Sequence, residues 1–120
     1  MSIDKPVVWM GSSRKDLKTM TDNVQDAVGF VLDRVQKGKT HPDVKPLSGK
    51  DLAGVYEIRV DVDTDTYRAV YVLNLGERVF MLHVFKKKSK KGVATPKPDM
   101  DVICSRLKDA KDLAKELSGE

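Results

Sequence analysis

The sequence predicts an α+β fold with the element order β-α-α-β-β-β-α, in which helices pack on a small antiparallel sheet. Three observations support this order. One short apolar run lies near the N terminus, three consecutive β-like runs lie in the middle, and apolar residues recur at helical spacing before and after those runs. A chain of 120 residues fits one compact domain, so we expect a single domain over residues 1–120.

The N-terminal part reads as a strand followed by a helical hairpin. Residues 6–10 form a short apolar run that ends at a Gly-Ser-Ser turn, and residues 14–20 carry a thin apolar stripe. Thr21 offers a cap for a second helix, in which apolar residues recur at helical spacing over residues 24–35. Gly38 is placed to end that helix.

The middle of the chain predicts a β-meander. Residues 40–54 contain repeated Pro and Gly and read as a loop. Residues 55–62, 67–73 and 78–85 are β-like, and turn residues separate them, which favours an antiparallel arrangement with helices covering one face. From about residue 101 onward apolar residues again step at helical spacing, which predicts a C-terminal helix.

The charge is unevenly distributed. Residues 1–98 carry 18 basic and 12 acidic side chains, whereas residues 99–120 carry four basic and six acidic ones. Five lysines fall within residues 86–91, directly after an apolar strand. A basic body with a lysine cluster favours an anionic partner, nucleic acid being the first candidate. The alternative is a solvated loop that discourages edge-to-edge strand pairing.

Other classes of protein are disfavoured by the composition. Cys104 is the single cysteine, so no internal disulfide can form, which suits a reducing cytoplasm, and its helical position predicts a buried thiol. No apolar run approaches the length of a membrane span, and residues 1–6 lack the apolar core of a signal peptide. The two histidines, His41 and His83, lie far apart without zinc-type spacing, so we expect neither a metal nor a cofactor.

One set of charged residues lies on neighbouring predicted strands. Glu57 and Arg59 are two apart in a strand and therefore point to the same face. Arg68 in the next strand lies near them if the turn centres on residues 63–65. The set is either a structural ion-pair network or a phosphate clamp with an acid/base group beside it. A lone strand histidine such as His83 is more often a packed or hydrogen-bonded core residue than a catalyst.

Four short segments together resemble a known family. They are Lys45-Pro46-Leu47-Ser48-Gly49, Val55-Tyr56-Glu57-Ile58-Arg59, Tyr67-Arg68-Ala69-Val70-Tyr71 and Leu82-His83-Val84-Phe85-Lys86-Lys87-Lys88-Ser89. In this order and at this spacing they resemble the RelE/ParE toxin superfamily. The resemblance is greatest to its phage-derived, HigB-like branch, whose members often show Phe-Lys-Lys followed by Thr-Pro, here Thr95-Pro96.

The resemblance implies a fold, an activity and partners. The implied RelE-like fold is a twisted antiparallel sheet with a helical hairpin on one side. The implied activity is that of a type II toxin–antitoxin toxin, a metal-free endoribonuclease that cleaves mRNA on the ribosome and so inhibits translation. In this chemistry the ribose 2′-OH attacks the adjacent phosphate. The implied partners are mRNA, the ribosome and a helix-turn-helix (HigA-like) antitoxin, with no membrane involved.

The resemblance also suggests roles for individual residues. Arg68 aligns with an arginine that contacts the scissile phosphate, and Arg59 and Lys87 are further candidate phosphate ligands. Candidates for proton transfer are Glu57, Tyr71 and His83. The remaining candidate RNA-binding residues are Lys50, Lys86, Lys88, Lys90 and Lys91. The chain departs from some relatives in two respects: Lys45 replaces a glutamate, and a long helix replaces a C-terminal His or Tyr.

Two other functions fit the same sequence. A ParE-like protein with this fold inhibits DNA gyrase without nuclease chemistry, and a decayed relative would only bind its antitoxin. The lysine cluster at the strand exit favours RNA cleavage over both alternatives.

Overall fold

The computed structural model describes residues 4–62, 64–87 and 94–119. The predicted elements are all present, together with one additional strand. In chain order the elements are β1 (Val7–Trp9), α1 (Ser13–Lys18), α2 (Asp22–Gln36), β2 (Val44–Pro46), β3 (Val55–Val62), β4 (Asp65–Val72), β5 (Val79–Lys87) and α3 (Lys97–Leu117). No helix in this described part is both long and apolar enough to cross a membrane.

The five strands form one mixed sheet in the order β1-β5-β4-β3-β2. Strands β3, β4 and β5 pair antiparallel, as predicted for the meander, and β2 also pairs antiparallel with β3. The expectation of a wholly antiparallel sheet is wrong for β1, which runs parallel to β5. Tight turns impose antiparallel pairing only on consecutive strands, whereas two helices and three strands separate β1 from β5 along the chain.

Two boundaries differ from the sequence-based prediction. The predicted loop over residues 40–54 contains β2, whose Val44 pairs with Ile58 of β3. Its proline, Pro46, masks it in the sequence, but a proline is tolerated on an edge strand. Helix α3 begins at Lys97 instead of about residue 101, because proline in the first helical turn starts a helix without losing a backbone bond.

Helices cover both faces of the sheet, whereas the sequence suggested one. Alternate residues of a strand point to opposite faces, so the continuously apolar β4 and β5 supply two cores. On the face that α2 covers, the α2 face, the buried side chains include Val24, Val28, Ile58, Tyr71 and Met81. On the opposite face, the α3 face, they include Val70, Phe80, Leu82, Ile103 and Leu107.

A β-bulge in β5 changes which side chains lie on each face. Val70 pairs with His83, but the next residue, Tyr71, pairs with Met81, so Leu82 is one extra residue in β5. The side chains of β5 therefore change phase at this point. Beyond the bulge, Phe85 lies on the α3 face together with Leu82 and Phe80, although its number has the opposite parity.

Candidate active site

Three charged side chains meet on the α3 face where β3 and β4 pair. Arg59 lies directly opposite Arg68, and Glu57 lies opposite Val70 of the α3-face core. Residues two apart in a strand share a face, so Glu57, Arg59 and Arg68 all project toward α3. The proximity that the sequence suggested, with the hairpin turn just after Val62, is confirmed.

The Glu57 carboxylate bridges two guanidinium groups. Arg68 donates from Nη1 to Glu57 Oε2 at 3.4 Å, and Arg59 Nε lies 3.9 Å from Glu57 Oε1. The Arg68 side chain is 1% exposed and that of Glu57 8%, whereas Arg59 remains 31% exposed. The Arg68 side chain is thus almost entirely buried, and Arg59 is the member of the group that solvent reaches.

Lys87 is the fourth member of this group. It is buried and donates from Nζ to the Ala94 carbonyl at 2.6 Å. Burial lowers the pKa of Lys87, the positive charges of Arg68 and Arg59 lower it further, and Glu57 partly opposes them. We call Glu57, Arg59, Arg68 and Lys87 the charge cluster. Among the described residues it brings together three cations and one carboxylate, a composition that favours an anionic ligand.

His83 connects β5 to α3 on the same face. Its Nε2 lies 2.8 Å from Asp99 Oδ1, and its ring stacks on Phe85 with centroids 4.9 Å apart. The other ring nitrogen, Nδ1, is buried and has no hydrogen-bond partner among the described residues. A carboxylate on one nitrogen fixes the ring, so His83 positions the start of α3 beside the charge cluster.

Tyr71 is not part of this group. Arg68 and Tyr71 are three residues apart in β4, so their side chains point to opposite faces, and the prediction that placed them in one site is wrong. Tyr71 is buried on the α2 face and stacks on Tyr56 with centroids 5.8 Å apart. Burial raises the pKa of Tyr71, which opposes a role in proton transfer at neutral pH.

The two predicted RNA-binding lysines that the structure describes, Lys50 and Lys86, lie apart from each other. Lys86 is exposed, bonds Asp65 at 3.0 Å and lies 5.9 Å from the ring of Tyr67, away from the charge cluster. Lys50 lines a separate depression together with Lys108 and Lys111. Three further lysines of the predicted set lie outside the described residues, namely Lys88, Lys90 and Lys91.

A depression of about 430 Å³ adjoins the charge cluster, with Glu57 and Arg59 in its wall. We call it the Lys45 pocket. Its other lining residues are Lys45, Pro46, Leu47, Ser48, Ala94, Thr95 and Met100. Thr95 belongs to the Thr-Pro pair that contributes to the family resemblance, whereas no sequence pattern singles out Met100. Lys45 was visible as a departure from some relatives, but its place in a strand beside Glu57 was not.

The described residues contain neither a buried cysteine thiol nor a group of metal ligands. Cys104 is exposed on α3, so the expectation of a buried thiol is wrong. The helical stripe that buries Ile103 and Leu107 passes on either side of it. Within residues 4–62, 64–87 and 94–119, no three side chains of His, Cys, Asp or Glu are grouped as metal ligands.

The fold and the family follow from comparison with known proteins. A chain of the crystal structure of the toxin–antitoxin complex RelBE2 from Mycobacterium tuberculosis matches with a TM-score of 0.52 and 21% identity, over 74% of this chain and 98% of that chain. The fold is therefore that of the RelE-like toxins. The family described as "Phage derived protein Gp49-like (DUF891)" matches residues 15–108, and the chain belongs to it.

The family match confirms the predicted phage-derived branch, and the structural match confirms the predicted RelE-like fold. None of the curated proteins compared with the chain is significantly similar to it in sequence. The roles of individual residues therefore rest on the geometry described above.

Proposed function

We propose that this protein is the toxin of a toxin–antitoxin system and that it cleaves mRNA at the charge cluster. The observation that supports this most directly is that three cationic side chains, those of Arg59, Arg68 and Lys87, lie together on one face of the sheet. Arg68 and Lys87 are both buried, and Arg59 leads from them to solvent. These cations would attract an RNA phosphate bound at Arg59, and the negative charge on that phosphate increases in the transition state.

The proposed reaction needs no group beyond the RNA and these side chains. The 2′-oxygen of a ribose attacks the adjacent phosphorus as its proton leaves, and a new P–O bond forms. The bond from phosphorus to the 5′-oxygen breaks, and this oxygen takes up a proton. The products are a 2′,3′-cyclic phosphate and a 5′-hydroxyl. Holding the attacking and leaving oxygens in line would supply much of the rate enhancement.

Each member of the charge cluster has a role in this proposal. Arg68 and Arg59 bind the non-bridging phosphate oxygens, as guanidinium groups do in paired geometry. Glu57 orients both arginines and accepts the proton of the 2′-OH. Lys87 donates a proton to the 5′-oxygen, because an ammonium whose pKa is lowered is a stronger acid than an ordinary lysine.

The proposed partner is an antitoxin, by analogy with the toxin–antitoxin complex RelBE2, because this chain shares the fold of one chain of that complex. We expect a helix-turn-helix protein of the HigA type. An antitoxin carboxylate placed against Arg59, the accessible member of the charge cluster, would compete with the RNA phosphate. The ribosome, in this proposal, presents the mRNA.

The test is induction of the toxin in bacteria that lack the antitoxin, with mapping of mRNA 5′ ends during translation. Wild type is expected to arrest growth and to create new 5′ ends within translated frames. Arg68→Ala is expected to abolish both effects. Arg14→Ala is the matched control, because Arg14 is an exposed arginine on α1 and should retain full toxicity.

Other outcomes would replace the proposal. Growth arrest with intact messages would exclude mRNA cleavage, and a supercoiling assay would then test gyrase as the target. The absence of arrest at normal protein levels would indicate a relative that only binds its antitoxin. Full toxicity of Arg68→Ala would contradict the assignment of the charge cluster.

A further inference from the structure

Lys45 differs from the other cations around the charge cluster. It lies on β2 directly opposite Glu57, in the wall of the Lys45 pocket. Its side chain forms no ion pair or hydrogen bond with any residue in the described part of the chain, whereas the Lys86 ammonium pairs with Asp65. Its ammonium group is thus available to a ligand, within the same pocket as the carboxylate and guanidinium of the proposed active site.

The Lys45 pocket combines apolar walls with polar groups. Pro46, Leu47 and Met100 supply apolar surface, and Leu47 is buried. Ser48 is exposed in the lining, and Thr95 Oγ1 is buried without a hydrogen-bond partner among the described residues. Its volume of about 430 Å³ is in the range of small-molecule sites, roughly 300–1,000 Å³. Such a pocket suits one flat, partly polar group.

We propose that the Lys45 pocket binds the base of a nucleotide next to the scissile phosphate and that it favours guanine. This inference rests on the proposed ribonuclease function. Arg59 belongs both to the charge cluster and to the pocket wall, so a nucleotide whose phosphate contacts Arg59 places an adjacent base within reach of the pocket. Single-stranded RNA presents such bases unstacked, and side chains replace the lost stacking.

Guanine is favoured because the available groups are mainly donors. The Lys45 ammonium has three N–H donors and no acceptor, and guanine presents two adjacent acceptors, O6 and N7. Adenine presents an amino donor at the position of O6, which would oppose the ammonium. The hydroxyls of Ser48 and Thr95 can donate or accept, so they add contacts without reversing this preference.

The test uses purified toxin and mRNAs with randomised codons in a reconstituted bacterial translation system, with sequencing of the cleaved ends. Wild type is expected to show enrichment of guanine at one position flanking the cut. Lys45→Met retains the aliphatic stem and removes the charge, and it should reduce that enrichment by roughly tenfold. Its cleavage of sites without guanine should stay within about threefold of wild type.

Two further variants sharpen the result. Thr95→Val should weaken the base preference at the same position. Lys108→Met is the matched control, because Lys108 is exposed on α3 and lines a different depression, and the base preference of this variant should equal that of wild type. Circular dichroism and thermal unfolding establish that each variant is folded before its cleavage pattern is compared.

The outcomes separate this inference from the proposed function. If wild type cleaves no RNA, the proposed function fails and the inference fails with it. If wild type cleaves and Lys45→Met keeps the same base preference, only the inference fails. A uniform decrease in cleavage at all sequences would make Lys45 a phosphate contact and would likewise overturn the assignment of a base pocket.

Discussion

Arg106 of α3 donates from Nη1 to the carbonyl oxygen of Leu82 at 2.9 Å, and Leu82 is the extra residue of the bulge in β5. Its Nη2 also donates to Ser12 Oγ at 3.2 Å, in the turn between β1 and α1. The guanidinium packs against Gly11, where a Cβ atom would lie only 2.5 Å from Arg106 Nε. One side chain thus connects α3, the bulge and the first turn.

The bulge determines which lysine faces the candidate active site. With regular alternation, Phe80, Leu82 and then Lys86 would share the α3 face, and Lys87 would lie on the α2 face. The extra residue reverses the phase, so Lys87 joins Arg68 while Lys86 bonds Asp65. We therefore expect Arg106 to influence the position of Lys87 through the backbone of β5, as a positioning residue.

Arg106→Ala should impair cleavage although Arg106 has no proposed contact with RNA. Loss of its bond leaves the Leu82 carbonyl without this donor, so we expect a decrease of about 1–3 kcal/mol in the free energy of unfolding. Cleavage should fall in kcat more than in KM, because Lys87 would be displaced. Urea unfolding and single-turnover cleavage measure both effects. Arg106→Lys should recover part of the activity, and an Arg106→Ala protein with wild-type kcat would contradict a positioning role.

Glu57→Gln should strongly destabilise the protein. The change leaves three cations in the charge cluster without their carboxylate, and Arg68 is almost fully buried. Breaking a buried pair by removing one partner typically destabilises by 3–5 kcal/mol, and we expect about 3 kcal/mol because Arg59 is partly hydrated. Denaturant unfolding gives the value. Adding Arg68→Met should recover part of it, and strictly additive effects would show that the two side chains are not coupled.

Most of the fold could be predicted from sequence because the long elements have clear periodicity. Thr21 accepts from the Val24 amide as a helix cap should, and β3 covers residues 55–62 as expected. Strand β2 could not be predicted, since three residues containing Pro46 carry no alternation signal. The parallel pairing of β1 depends on tertiary packing between distant segments.

The candidate site could be predicted in part. The alternation of side chains along a strand correctly placed Glu57 and Arg59 on one face of the sheet. The same alternation places Tyr71 and Arg68 on different faces, which could already be deduced from the sequence. Simple alternation assigns the residues of β5 beyond Leu82 to the wrong faces, because the bulge at Leu82 has no sequence signature. The Lys45 pocket was hidden for a different reason, since its walls come from β2, β3 and the segment before α3.

Tyr71→Phe should leave toxicity unchanged. The Tyr71 hydroxyl lies on the α2 face, across the sheet from the charge cluster, and burial raises its pKa. We expect cleavage within about twofold of wild type and a change in unfolding free energy of about 1 kcal/mol or less. Growth arrest and thermal unfolding are sufficient measurements. A large loss of cleavage in a folded Tyr71→Phe protein would return this tyrosine to the list of proton-transfer residues.

Lys87→Met should stabilise the protein and inactivate it. Burial and two neighbouring arginines oppose the ammonium of Lys87, as its lowered pKa indicates, and methionine fills similar space without charge. We expect a Tm a few degrees higher, together with at least a hundredfold loss of cleavage. Thermal unfolding at neutral pH provides the test, and a lower Tm would show that the bond from Lys87 to the Ala94 carbonyl outweighs the repulsion.

The same lowered pKa predicts how stability changes with pH. Between the pKa of Lys87 in the folded protein and its ordinary value of 10.5, the unfolded chain binds a proton that the folded protein does not. The contribution of Lys87 to the free energy of unfolding should therefore increase as the pH rises across this window. Urea unfolding of wild type and Lys87→Met at several alkaline pH values isolates it. The two should converge as the pH rises, and a constant difference would contradict the shift.

The cleavage rate should have an alkaline limit set by Lys87. If the Lys87 ammonium protonates the 5′-oxygen, the rate falls as this group loses its proton, at a pH below the ordinary lysine value because its pKa is lowered. Arg59→Gln removes one of the positive charges that lower this pKa, so the limit should move to higher pH. The rate itself should decrease by about 10- to 100-fold through loss of a phosphate ligand.

The measurement is single-turnover cleavage of mRNA on programmed ribosomes at saturating toxin, across alkaline pH. The matched control is Arg14→Ala, which changes the charge on α1 by the same amount and should leave the alkaline limit in place. If Arg59→Gln lowers the rate but leaves the limit unchanged, another group sets the limit, and Lys87 only binds the phosphate. A limit that moves to lower pH would contradict the sign of the coupling between Arg59 and Lys87.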